Sequence, residues 1–142
     1  MTGIQDKRRA IRHLLREREP ADAMAAYYAL YHPDERTTLV TPPLLAEQRA
    51  DGYVAFSRTG IDLFRPLVTM RLPTDHDPAA TDAAAALLRQ ALAPGQPVII
   101  SAPNRYLPLL RALCDVQSEE RLRLYALDGR RFEPIINVLV TR

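Results

Sequence analysis

The chain has 142 residues, with 19 Lys+Arg against 17 Asp+Glu, three His, one Cys and no Trp. This length, with 47% hydrophobic and 25% charged residues, fits one globular domain with a buried core and excludes disordered or fibrous classes. A net charge of +2 is too small to demand a nucleic-acid partner, and no apolar run is long enough to span a bilayer as a helix.

The N-terminal stretch lacks the apolar core of a signal peptide, and the lone Cys114 rules out an intramolecular disulfide. A cytoplasmic setting is therefore expected. All but one of the basic residues are Arg, Lys7 being the exception. The first 19 residues hold six basic and three acidic side chains, so the excess of positive charge belongs to one segment. Residues 1–142 read as a single domain, with a basic amphipathic helix over 1–19 leading into a body over 20–142.

In chain order, the spacing of Ile4, Ile11, Leu14 and Leu15 predicts a helix over 4–18 whose other faces carry Lys7, Arg8, Arg9, Arg12, Arg16 and Arg18. Pro20 suits the first turn of a second helix, which must stop near His32 because Pro33 follows. Thr37–Thr41 is a short β-branched strand. Tyr53–Arg58 alternates, with Val54 and Phe56 on one face. After the turn signal at residues 59–62, Phe64–Leu72 reads as its hairpin partner, with Pro66 at a bulge, at an edge or where pairing begins. The run from Asp82 is a strong helix closed by Pro94-Gly95, and Pro97–Ser101 reads as a strand buried on both faces. A helix opens at Pro103-Asn104 with Pro108 in its first turn, or else starts later, and 121–127 and 136–142 supply two last strands. The order ααβββαβαββ predicts an α/β (α+β) domain: a mixed, mostly antiparallel sheet of about six strands with helices on both faces.

This order, from about Pro20 to Arg142, resembles the GNAT-type acyltransferase fold with its first strand missing or merged into the N-terminus. The resemblance implies a cleft between the central strands, an acyl-CoA donor and an amine acceptor. It also implies a glycine-rich loop for the CoA pyrophosphate after the fourth strand of that family, where backbone N–H groups meet negative charge. The equivalent stretch here, Arg71–Asp82, has no glycine, two prolines, and Asp75, Asp77 and Asp82. Its charge repels a pyrophosphate. Asn104 stands where the family has an Asn after the next strand, but the general-acid Tyr position holds Arg111, which exchanges no proton near neutrality.

The candidate cleft residues are Arg65, Arg71, Asn104, Arg105, Tyr106, Tyr31 and His32. Arg65 and Arg71 share a strand face by even spacing, where two guanidinium groups suit a carboxylate or phosphate; the competing reading is ion pairing to acids such as Asp62. Tyr27, Tyr28, Tyr31 and His32 form an aromatic patch that serves either a ligand or packing. Asp75-His76-Asp77 reads as a solvated turn rather than a metal site, since adjacent residues rarely converge on one ion. Cys114 reads as a small packed residue. The resulting expectation is a binding or interaction module for a small ligand or a second copy, without cofactor. An N-acyltransferase with an atypical acyl-CoA site is the alternative, and a nucleic-acid role for the first helix ranks last.

Overall fold

The computed structural model describes residues 3–44, 48–73 and 78–124. Strands β1 (Thr37–Val40), β2 (Tyr53–Ser57), β3 (Leu67–Arg71) and β4 (Ile99–Ser101) form one sheet in the order β1-β2-β3-β4. The first three pair antiparallel, with Thr37 opposite Ser57 and Val54 opposite Met70; β4 runs parallel to β3, with Val68 opposite Ile100. Parallel pairing needs a crossover, and α3 (Pro78–Ala91) supplies it. The other helices are α1 (Ile4–Ile11), α2 (Ala23–Ala26) and α4 (Leu107–Leu113).

Strand alternation splits the core in two. Leu39, Tyr53 and Ala55 pack on one face against Ile11, Leu15, Leu30 and the small side chains Ala25, Ala26 and Ala29, which let α2 lie close to the sheet. Val54, Val68, Met70 and Leu72 pack on the other against Leu87, Leu88, Tyr106 and Leu110. At roughly 1.5–3 kcal/mol for each large buried side chain, these two layers dominate stability. Gly52 lies where β2 enters the sheet, and a Cβ there would stand 2.9 Å from the Arg71 carbonyl oxygen and 2.8 Å from Pro73 Cδ. Only hydrogen fits.

The second helix is less regular than its sequence suggests. Pro20–Asp22 forms a 3-10 turn, Ala23–Ala26 is α-helical, and Tyr27–Tyr31 widens into a π turn closed by the His32 N–H donating to the Tyr27 carbonyl at 2.9 Å. His32 then adopts extended geometry, as a residue before proline must. The carbonyls at this end are collected by Arg8, whose Nε donates to Ala29 O at 3.0 Å while its terminal nitrogens reach His32 O and the Asp34 carboxylate. Arg8 is 6% exposed, so a side chain expected on the solvated face of α1 is an interior connector.

Several expectations are corrected. The described residues hold four strands, not six, and do not support the full ααβββαβαββ order. Of the last two expected strands, 125–142 lies outside the described residues, and Arg121–Leu124 is irregular with Leu122 and Leu124 exposed. Helix α1 ends at Ile11 and tightens into a 3-10 turn at Arg12–Leu14 instead of continuing to Arg18. β4 lies at an end of the described sheet, with Ile99 exposed and Ile100 and Ser101 half-buried, so it is not covered on both faces.

Phe64 is not in a strand. The Asp62 carboxylate accepts the N–H groups of Phe64 and Arg65, both at 2.9 Å, and this turn breaks the alternation before Pro66. β3 pairing starts at Leu67, immediately after Pro66. β2 and β3 form the expected antiparallel hairpin, joined by a long loop over 58–66. No helix among the described residues is long and apolar enough to cross a membrane.

Candidate functional site

The C-terminal halves of β3 and β4 separate after the Thr69–Ser101 pair: β3 runs on to Arg71, whereas the chain leaves β4 through Pro103 into a 3-10 turn at Asn104–Tyr106. That turn carries the Tyr106 ring into the interior, where its hydroxyl accepts the Leu72 N–H at 3.1 Å. The backbone donor exposed by the divergence is thus satisfied by a side chain of the protein itself. Arg105 lies over the Tyr106 ring, its Cζ 4.8 Å from the centroid, and donates to the same hydroxyl at 3.3 Å.

Arg71, at the end of β3, turns toward α2. Its Nη2 donates to Asp22 Oδ1 at 2.8 Å and Nη1 donates to the Met70 carbonyl. Asp22 Oδ2 accepts the Arg16 N–H at 2.9 Å, so both carboxylate oxygens are engaged. Burial alone would raise the Asp22 pKa, but the Arg16 N–H, Arg71 and Arg105 outweigh it and hold the group below the usual aspartate value. Tyr53, fully buried, has its phenol pushed well above the ordinary range by burial, against a smaller opposing pull from Arg71. Its hydroxyl finds no hydrogen-bond partner among the described residues. Near the same end, Ser101 Oγ approaches Met24 Sδ at 3.7 Å, tying β4 to α2.

The cluster of Asp22, Arg71, Arg105, Tyr53 and Tyr106 is thus rich in charge, and Asp22 and Tyr53 are both shifted away from proton exchange near neutrality. The carboxylate stays ionised and doubly bonded, and the Tyr53 phenol stays neutral. Cys114, half-buried, has its thiol pushed up by burial, away from the reactive thiolate. Among the described residues no group of three His, Cys, Asp or Glu is placed to hold a metal ion.

No family model matches the chain, and no curated protein or solved structure matches it.

Of the residues singled out in the sequence, the structure brings Arg71, Arg105 and Tyr106 together around the β3–β4 divergence, with Asn104 exposed beside them. Arg65 is elsewhere. It lies in the β2–β3 loop, paired with Asp62 at 2.8 Å, so Arg65 and Arg71 do not share a strand face.

Tyr31 and His32 diverge as well. The Tyr31 hydroxyl donates to Glu17 at 2.8 Å beside Arg12, whereas His32 is buried with its Nδ1 2.9 Å from Thr37 Oγ1. Tyr27 and Tyr28 meet edge to face at 5.0 Å, and both lie within 6.0 Å of the His32 ring. The acidic turn at 75–77 lies outside the described residues.

Sequence reasoning missed a second site. An open groove of about 580 Å³ lies on the α3 side of β1 and β2, under the β2–β3 loop. Val40 and Phe56 form part of its floor, Ala91 one wall, and Leu63 and Phe64 part of its rim. Arg36, Arg58 and Arg65 line it as well. The signal was present: Thr37 pairs with Ser57, so the residues flanking TTLVT and YVAFS, Arg36 and Arg58, come opposite each other.

Proposed function

We propose that this chain is a GNAT-like domain that binds a ligand or partner and does not transfer an acyl group from CoA. The observation that carries this reading is the Tyr106 hydroxyl seated on the Leu72 N–H, with Arg105 stacked behind it. A donor that lies along diverging strands needs free backbone groups there, and in this chain the described one is taken. The Asp22–Arg71 pair supports the same reading, because it removes a guanidinium from service to an anionic donor. So does the composition of 71–82, which has no glycine and three aspartates.

Four of the six basic side chains of the first segment are also engaged within the chain. Lys7 Nζ donates to Leu39 O at 2.9 Å, Arg8 is buried, Arg9 pairs with Asp6 and Arg12 with Glu17. This favours a packed helix over a phosphate-binding one. Titration calorimetry with acetyl-CoA and longer acyl-CoAs tests the reading directly. Flat titrations are expected, and micromolar binding overturns it.

A further inference from the structure

Arg36, the last residue of the 3-10 turn Asp34–Arg36, and Arg58 flank the paired residues Thr37 and Ser57, and the Arg58 N–H donates to the Arg36 carbonyl at 2.9 Å. The two residues stand directly across from each other, and both line the groove. Like charges in that position destabilise a sheet. Neither is neutralised by a carboxylate among the described residues: Arg58 donates only to the Glu35 carbonyl oxygen, at 3.0 Å, and Arg36 makes no side-chain hydrogen bond or ion pair. The third arginine of the groove, Arg65, is already matched by Asp62. One end of the groove therefore holds two uncompensated guanidinium groups.

The rest is apolar. Phe56 and Val40 are only half-buried although they belong to the core face of the sheet, and Phe64 and Leu63 are 87% and 83% exposed at the rim. The volume lies within the range of small-molecule sites, about 300–1,000 Å³. Ala91, in the last turn of the 14-residue helix α3, brings the negative end of a helix dipole to the wall. An anion is disfavoured there and favoured at the arginines, which fixes the direction in which an amphiphile would lie.

We propose that this groove binds a small anionic amphiphile, its carboxylate or phosphate head held between Arg36 and Arg58 and its hydrocarbon tail on Phe56, Val40, Leu63 and Phe64. The inference goes beyond the reading of the β3–β4 gap and needs no assumption about CoA. The groups match the ligand class: paired guanidinium groups hold an oxyanion through several charge-assisted bonds, and the tail covers apolar surface that is otherwise in contact with water.

The test is calorimetry on the full chain with decanoate and decyl phosphate, beside decyltrimethylammonium, acetate and inorganic phosphate. Saturable binding of either anionic amphiphile is expected, and which of the two binds identifies the head group. The cationic amphiphile and the tail-less anions should show none. R36Q/R58Q should weaken binding at least tenfold, and R65Q less than about threefold, since Arg65 is already paired. Without ligand, R36Q/R58Q should keep or raise the thermal midpoint, because it removes a like-charge pair. Equal binding of the cationic amphiphile, or unchanged binding in R36Q/R58Q, overturns the proposal. So does a midpoint lowered by several degrees in that variant, which would make the arginines structural. Flotation with anionic phospholipid vesicles and no binding of either free amphiphile would assign the groove to a lipid surface instead. Acyl-CoA binding that persists in R36Q/R58Q would refute the reading of the gap and leave this result standing, whereas acyl-CoA binding lost in that variant would belong to the groove.

Discussion

Removing one oxygen atom should have opposite effects at two buried tyrosines, Tyr53 and Tyr106, that belong to the two core layers on either side of the sheet. In Tyr106→Phe the Leu72 N–H loses its acceptor at 3.1 Å and stays buried. An unsatisfied buried donor costs about 1–3 kcal/mol. The Arg105 contact to the same hydroxyl adds little, because Arg105 is exposed and its stacking on the ring survives the change. At about 4 °C per kcal/mol for a chain of this size, the midpoint should fall by roughly 4–12 °C. In Tyr53→Phe the lost hydroxyl is buried without a partner among the described residues, so its desolvation is relieved and stability should hold or rise by about 1 kcal/mol. Urea denaturation followed by far-ultraviolet circular dichroism measures both. If Tyr106→Phe proves neutral, or the two variants move the same way by similar amounts, the assignment of Tyr106 as the satisfying acceptor is wrong.

Arg8→Met should cost about 3 kcal/mol by urea denaturation, since it strips a buried charge from two carbonyls and the Asp34 carboxylate. Gly52→Ala should cost about 1–3 kcal/mol in the same assay, because the new Cβ meets a backbone carbonyl that cannot move aside. Burial, with Arg36 and Arg8 nearby, holds the His32 imidazole below its ordinary pKa, so the unfolded chain takes up its proton first. Stability should be full above about pH 6.5 and decline as pH falls below it, and His32→Gln should flatten that slope in thermal melts. Asp22, with its pKa lowered on folding, adds stability above about pH 4 that is lost as pH falls through its folded value. Asp22→Asn should remove that acid-limb component.

The parts of the fold visible in the sequence are those governed by local backbone chemistry. Pro108 lies in the first turn of α4, Pro66 stands immediately before β3, and His32 leaves the helix before Pro33. Alternation also assigned Val54 and Phe56 to one face of β2 correctly. What escaped depends on contacts between distant segments. Periodicity treats Arg8 as a solvent residue and has no means of seeing the carbonyls of Ala29 and His32, which lie 21 and 24 residues away. Phe64 continued the alternation of β3, and only the capture of its N–H by Asp62 shows that the strand had not begun. At the candidate site, the sequence places Arg71 and Tyr106 beside the gap, but only the fold shows Tyr106 seated on the Leu72 N–H and Arg71 turned to Asp22. Arg36 and Arg58 become a pair only once the β1–β2 register is known.

The Asp22 carboxylate bears on the order of assembly. Its two bonds join the turn after α1 to the end of β3, the latter across 49 positions. Arg71 reaches its place only after β3 has paired with β2, and Asp22 only after α2 has settled on the opposite face. The bond closes after both, when most of the surface is already buried. Contacts formed that late leave the folding rate almost unchanged and act on the rate of unfolding. Asp22→Asn should therefore speed unfolding while leaving the folding rate almost unchanged in urea-jump kinetics, the behaviour of a latch on the finished protein.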